Sequence, residues 1–262
     1  MAERSYLCRL PTSPRRNPAR PGRLTTVIGD LAAFAQHLRV EGWATTSPLF
    51  PSDFLDTLTN KLGTPAAEGS ARGGTRHLLD IPAVQELARS QPVRAVAEAA
   101  LGKECFAVRG ILFDKMPGAN WKVTWHQDLT IAVRDRRNVE GFGPWSVKEG
   151  VAHVQPPVAI LERMVAVRVH LDECGPDNGP VRVIPRSHSF GRLSGDAIDG
   201  WKKECTPIDC LVSRGGILAF FPLLLHSSSP SSRPEHRRVV HLEFAATALP
   251  HELEWYHTIG KR

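Results

Sequence analysis

The chain has 262 residues, 42% of them hydrophobic, and a formal net charge of +6. Such a length and apolar share suit one core-bearing domain with extensions, and no run approaches the ~18 apolar residues that would cross a bilayer, so no membrane partner is expected. The charge is local: residues 1–24 hold Arg4, Arg9, Arg15, Arg16, Arg20 and Arg23 against Glu3, a net of +5, and the rest of the chain is close to neutral, so no nucleic-acid partner is expected either.

Pro11, Pro14, Pro18 and Pro21 interleave those arginines, which predicts a solvated, disordered extension. An organellar transit peptide is the competing reading of an Arg-rich start, disfavoured because prolines break an amphipathic helix. Cys8, Cys105, Cys174, Cys205 and Cys210 are odd in number and form no Cys-x-x-Cys pair, which points to reduced thiols and a cytoplasmic location; Cys205 and Cys210 are close enough in sequence to pair. The domain proper is expected over 25–262.

Apolar spacing predicts a helix over Val27–Arg39 stopped by Glu41-Gly42. A strand follows over Trp43–Phe50, then a helix over Asp53–Leu62 with Ser52 as its N-cap. Gly69–Gly74 reads as a loop that lacks the Gly-Lys-Ser/Thr of a phosphate cradle. Pro82–Leu101 reads as one or two helices, broken at Pro92. From Phe106 onward the pattern changes to short apolar or alternating runs separated by Gly, Pro, Asn and Ser: Phe106–Met116, Trp121–Trp125, Met164–Leu171, Val181–Ile184, Gly216–Phe221 and Arg237–Phe244. These are strands, and they make the fold mainly β with packed helices.

One stretch carries chemistry. In an extended strand His126 and Asp128, two residues apart, point the same way and can share one ion. With a second histidine, for which His226 is the candidate, they would form the two-His-one-carboxylate face that non-haem Fe(II) uses to bind a chelating co-substrate and dioxygen. Taken alone, His-x-Asp also suits a hydrogen-bonded strand-end pair, and His-Asp-His suits a Zn(II) hydrolase. His170 and His188 are rival ligands on paper. Alternation places Arg237 and His241 on the face opposite Arg238, Val240, Leu242 and Phe244, a face that could be a barrel interior. Arg168 interrupts an apolar strand and must be paired or wet.

Leu129–Arg163 is a long stretch rich in Gly, Pro and charge directly after the two ligands. Over 129–162 it reads as a lid-like insertion, with Trp145, His153 and Gln155 as substrate contacts or, equally, as loop packing. Its charges cancel, so no anionic substrate is implied. Arg76, with His77, is a pocket-edge candidate, and the tail from Ala246 is assigned no role.

His126-Gln127-Asp128, the phrase Gly-Pro-Asp-Asn-Gly-Pro-Val-Arg-Val-Ile-Pro-Arg-Ser-His over 175–188, and His226-Ser227-Ser228 followed by Arg237 together resemble the phytanoyl-CoA dioxygenase (PhyH) family. The likeness runs from about Val27 to Ala246, with Arg186 standing where the family more often has glycine. It implies a double-stranded β-helix, the cupin-like jelly roll. It also implies Fe(II), 2-oxoglutarate and O2, with His126, Asp128 and His226 as both metal ligands and catalytic centre. Arg237 takes the family's position for the C5 carboxylate of 2-oxoglutarate, Ser228 that of a hydroxyl contacting the same co-substrate, and Arg168 that of a contact often made by tryptophan. The implied reaction is hydroxylation of an unactivated C–H bond of a small molecule, with release of succinate and CO2. Desaturation, ring formation or epimerisation at the same iron are alternatives; a halogenase is disfavoured because Asp128 fills the halide's position. A non-catalytic jelly-roll binding module would keep the fold without needing the full ligand set.

Overall fold

The computed structural model describes residues 30–63, 74–233 and 235–261. The predicted extension over 1–24, the first residues of the predicted opening helix at 27–29, and the glycine-rich loop as far as Gly73 lie outside the described residues.

Helix α1 (Leu31–Glu41) begins where the Asp30 side chain accepts the Ala33 N–H at 3.0 Å and ends at Gly42, whose φ of 86° is a left-handed cap, so it runs to Glu41 rather than Arg39. The following strand β1 (Trp43–Thr45) is shorter than expected. In α2 (Ser52–Leu62), Ser52 is the first helical residue and not the N-cap; extended Pro51 takes that place without a side-chain bond. Pro92 breaks nothing. It sits in the first turn of α4 (Gln91–Leu101), where a missing N–H costs no hydrogen bond, and the break from α3 (Pro82–Arg89) falls at Ser90.

Two antiparallel sheets form the body. The larger has the order β1, β10 (Ile217–Phe220), β7 (Met164–His170), β12 (Arg237–Ala245), β2 (Phe106–Lys115). The smaller has the order β3 (Val123–His126), β11 (His226–Ser228), β8 (Val181–Val183), β9 (Ile208–Cys210). The helices lay Leu38, Leu58, Leu87 and Val96 on the outer face of the larger sheet, against Val165, Val167, Val169, Val240, Leu242 and Phe244. Its inner face packs Ala166, Leu218 and Phe220 on Val181, Val183 and Cys210 of the smaller sheet. This is the double-stranded β-helix with helices on one side. Because side chains alternate along a strand, the residues between those outer valines and leucines turn inward: Arg168 on β7, Arg237, His241 and Glu243 on β12, and Arg109 and Lys115 on β2.

The insertion is not the irregular lid its composition suggests. It folds as a third antiparallel sheet in the order β4 (Ile131–Val133), β6 (Val151–Val154), β5 (Trp145–Lys148). Ile131, Val133 and Val154 are buried there with Phe106, Val108 and Trp255. Strands of three and four residues are too short to register as alternation, while the Gly, Pro and charge of their connections dominate the composition. The tail joins this packing: Trp255 bridges to Val133, and Ile259 to Ala107.

Cys105, Cys174 and Cys210 are buried and free, so Cys205 and Cys210 are not joined. Among the described residues no helix is long and apolar enough to cross a membrane.

Candidate metal and co-substrate site

His126 ends β3, His226 begins β11, and the two are register partners across the antiparallel pair, with ring centroids 4.2 Å apart. Asp128 lies two residues past His126, and the intervening Gln127 points the other way. The Gln127 amide donates to the carbonyls of Gly191 and Leu223 at 2.8 and 2.6 Å, and its oxygen accepts the Leu193 N–H at 2.8 Å. With the Asp128 N–H donated to Pro222 O at 2.8 Å, these bonds hold the chain where the strand ladder has already stopped. The Asp128 carboxylate oxygens then stand 3.6 Å from His126 Nε2 and 3.7 Å from His226 Nε2.

The protons are placed as well as the rings. His126 Nδ1 lies 2.8 Å from the Thr124 carbonyl and His226 Nδ1 2.8 Å from the Leu224 carbonyl. A carbonyl only accepts, so each neutral ring carries its hydrogen on Nδ1 and turns the Nε2 lone pair toward Asp128. Burial, and then the neighbouring His126, push His226 down to about 4, which keeps it neutral. Burial pulls His126 down too, but Asp128 and the Thr124 carbonyl outweigh it and leave the ring above its ordinary value. Burial opposes ionisation of Asp128, yet His226 and His126 together hold its carboxyl well below the usual carboxylate range. Two nitrogen lone pairs and one carboxylate, their ligand atoms within 4.8 Å of one another, fit a divalent metal.

A second group, Asp128, His241 and Glu243, meets the same distance limit. Its chemistry differs. Arg168 donates to His241 Nδ1 at 3.1 Å, and a guanidinium cannot accept, so the His241 hydrogen sits on Nε2, 3.3 Å from Glu243 Oε1. Glu243 is also bound by Arg109. No lone pair is left on His241 for an ion; this is a closed hydrogen-bonded network.

A pocket of about 440 Å3 opens in front of the histidines and Asp128. Its wall also holds Arg237, Arg168 and Lys115, exposed by only 2%, 7% and 1%. Among the described residues none of the three has a carboxylate partner. Arg237 donates to the Gly179 carbonyl and keeps a buried Nε without a partner. Arg168 lies 5.0 Å over the Phe113 ring, also with an unpartnered Nε, and burial and the charge of Arg237 push it down to about 10. Burial and Arg237 likewise push Lys115 down to about 7. Buried cations without a counter-ion are unfavourable unless an anion completes them.

The other sequence candidates fall elsewhere. Trp145 is half-buried against the apolar core of the insertion, beneath Arg136 at 5.7 Å. His153 is buried, with Nδ1 3.0 Å from the Val151 carbonyl, beside a separate cavity of about 20 Å3 that Arg76 and His77 also line. Arg76 pairs with Glu149 at 2.7 Å, and the Gln155 backbone bonds to Gly143 and Pro144. None of the four lines the pocket, because the insertion packs as a sheet against the start of β2 instead of arching over the opening. His170 is buried with both ring nitrogens unpartnered and outside the pocket wall, and His188 stacks on Phe221 at 5.3 Å; neither joins the cluster. Missed by the sequence reading were Lys115, Arg109 and Glu243. The first two share one face of β2 with Ile111 and Phe113, and that period-2 placement of cations in a buried strand was the available signal.

The chain belongs to the phytanoyl-CoA dioxygenase (PhyH) family, whose model matches residues 59–239. By that family it is a non-haem iron 2-oxoglutarate-dependent oxygenase. No curated protein matches it by sequence. Solved structures share its fold. AviO1 from Streptomyces viridochromogenes Tue57 superimposes with a TM-score of 0.61 at 20% identity, over 87% of this chain and 99% of that one. EctD from S. alaskensis with 2-oxoglutarate and 5-hydroxyectoine gives 0.62 at 20% identity, over 82% and 76%. The epimerase SnoN from nogalamycin biosynthesis, in complex with Fe3+, alpha ketoglutarate and nogalamycin RO, gives 0.62 at 16% identity, over 83% and 84%.

Proposed function

We propose that His126, Asp128 and His226 hold Fe(II), that Arg237, supported by Arg168, receives the C5 carboxylate of 2-oxoglutarate, and that the protein consumes O2 to hydroxylate a C–H bond of a small molecule with release of succinate and CO2. One observation carries the reading. A single pocket has two imidazole lone pairs and a carboxylate on one wall and, on another, buried guanidinium groups with no carboxylate partner among the described residues and with Nε unbonded, so that a metal and a carboxylate-bearing chelator would complete both.

Bound there, iron supplies the redox chemistry, and the protein supplies position and charge. Asp128 offsets one metal charge and stays ionised through the working pH range, since its two histidines favour the anion. The Thr124 and Leu224 carbonyls keep both rings in the tautomer that leaves Nε2 free. Arg237 offers a planar fork suited to a carboxylate, already fixed by Gly179, so little side-chain freedom is lost on binding. A Zn(II) hydrolase would need the first wall but has no use for the guanidinium groups.

The test is to load the protein with Fe(II) and measure O2-dependent succinate formation from 2-oxoglutarate against a panel of small molecules. Succinate release stimulated by one compound, with that compound gaining one oxygen, is the expected result. Loss of two hydrogens would instead mark desaturation or ring closure, and an unchanged mass with inverted stereochemistry would mark epimerisation, the reaction for which SnoN is named. No 2-oxoglutarate turnover by iron-loaded protein with any compound would defeat the proposal.

A further inference from the structure

The pocket has two ends. Lys115 and Arg237 are register partners at one; Arg109 and Glu243 are register partners at the other, six residues along the same two strands, about 20 Å at the rise of a strand. Asp128 stands at the second end, its ligand-type atom within 4.8 Å of those of His241 and Glu243. If 2-oxoglutarate runs from the metal toward Arg237, the Glu243 end is left for the substrate. Counting bonds shows what Glu243 has to offer there. Its Oε1 accepts from Arg109 Nη2 and lies 3.3 Å from His241 Nε2, while no described residue donates to Oε2. Those bonds complete His241 but not Glu243, because an ionised carboxylate only accepts and has room for about four donors. Leaving such an oxygen unbonded in a buried setting is costly, so Oε2 calls for a hydrogen-bond donor. The same pocket wall carries Ile111, Val123 and Trp121, which suit an apolar body. Arg109 already balances the Glu243 charge, and Arg168, Arg237 and Lys115 add cations to the same pocket, so a further cation is disfavoured.

We infer that Glu243 Oε2 anchors the substrate, and that the substrate is an apolar small molecule bearing an uncharged hydroxyl that donates to it. The inference rests on the proposed function and adds the chemical class of the substrate. Arg109 is a positioning residue, holding Oε1 so that Oε2 is the oxygen presented. Glu243→Gln separates this role from a structural one. The amide oxygen takes the place of Oε1, where it still accepts from Arg109 and His241, and the amide NH2 takes the place of Oε2. The site then donates where it had accepted.

The experiment uses Mn(II), which stands in for Fe(II) without turnover and speeds the relaxation only of protons close to it. Protein loaded with Mn(II) and 2-oxoglutarate is titrated with cyclohexanol, cyclohexanone and cyclohexylammonium, which share a ring and offer a hydroxyl donor, an acceptor only and a cation. Native protein is expected to bind cyclohexanol about tenfold or more tightly than cyclohexanone, whose oxygen would face Oε2 with no hydrogen between them, and more tightly than cyclohexylammonium. Glu243→Gln is expected to bring the alcohol and the ketone within about twofold of each other, since both can accept from the new amide. Three results would each overturn the inference: native protein that does not favour cyclohexanol over cyclohexanone, native protein that favours the ammonium, or Glu243→Gln keeping the native ratio. The ratio between probes is read on folded molecules alone, so any stability lost in Glu243→Gln does not blur it, and the native measurement stands without the variant. Native protein that binds Mn(II) but not 2-oxoglutarate would bring down the proposed function itself, an outcome recognisable before any probe is added.

Discussion

Asp128 belongs to two clusters that geometry alone cannot tell apart. His126, Asp128 and His226 form one; Asp128, His241 and Glu243 form the other, and in each the ligand-type atoms lie within 4.8 Å of one another. What separates them is the atom each ring nitrogen faces at its other side. Carbonyls behind Nδ1 of His126 and His226 force the hydrogen there and free Nε2. A guanidinium in front of Nδ1 of His241 forces its hydrogen to the opposite nitrogen, where Glu243 takes it. Residue type and distance are therefore insufficient to define a metal site; the supporting hydrogen bonds decide whether a histidine is a ligand or a strut.

The largest effect should come from breaking the first cluster. His126→Ala, Asp128→Ala and His226→Ala are each expected to abolish stoichiometric Fe(II) binding and to reduce 2-oxoglutarate turnover by more than the ~10–100-fold that loss of a supporting hydrogen bond costs. The fold should survive, because His126 and Asp128 are only partly buried. Metal analysis and circular dichroism on the purified variants check both halves. Next in size is Arg237→Ala. Removing a buried charge partner typically costs about 2 kcal/mol or more, roughly 30-fold in affinity. That loss should fall on 2-oxoglutarate and leave Fe(II) binding unchanged; equal losses for both would make Arg237 a structural residue.

Glu243→Gln tests the second cluster and should do much less to the metal. Fe(II) affinity and stoichiometry are expected to stay within about threefold of native, since a strut and not a ligand has been altered. Stability should fall instead, because Arg109 loses its charged partner in a buried setting. A charge-assisted bond is worth about 2 kcal/mol, which corresponds to a drop in Tm of roughly 4–8 °C at this size. A tenfold loss of Fe(II) affinity without that drop would mean that the second cluster binds metal after all.

How much of this could be read from the chain follows the same division. The strand that carries Arg237 announces itself through apolar alternation, which turned Arg237 inward, opposite Val240 and Leu242. β11, His226-Ser227-Ser228, has no apolar residue, so no strand was legible there and His226 stood out only as the second histidine the cluster needs. The packing of the two sheets came from family resemblance, since the pairing of β7 with both β10 and β12 joins segments far apart in sequence. Lys115 was passed over because a lysine at the end of a strand usually marks solvent, and only the cross-sheet contact with Ser228 reveals that it is buried. The tautomers were out of reach: they depend on backbone carbonyls at Thr124 and Leu224, which any residue type would provide.

The insertion marks where composition misleads, and it carries the smallest expected effect. Loop-like content over 129–162 suggested a closing lid with Trp145, His153 and Gln155 touching substrate. In the folded chain Val133 and Val154 are completely buried, and Trp255 from the tail packs on them. A sheet tied down in that way should open with a free energy close to that of the body, whereas a lid should open far more easily. Limited proteolysis of the ligand-free protein is therefore expected to spare Ile131–Val154, and adding Mn(II), 2-oxoglutarate and substrate should change the pattern little. Trp145→Ala, His153→Ala and Gln155→Ala should each leave the substrate KM within about twofold, because none of these side chains lines the pocket. His153→Ala has a distinct signature. Its buried ring, pushed down to about 4 by desolvation, is neutral in the folded protein but takes up a proton in the unfolded chain at pH 6, so the native protein is less stable at pH 6 than at pH 8. The variant lacks that penalty and should lose less stability at pH 6 than at pH 8. Cleavage within the insertion that substrate suppresses, or a large rise in KM for any one of the three variants, would restore the lid and place the substrate on the far side of the pocket mouth.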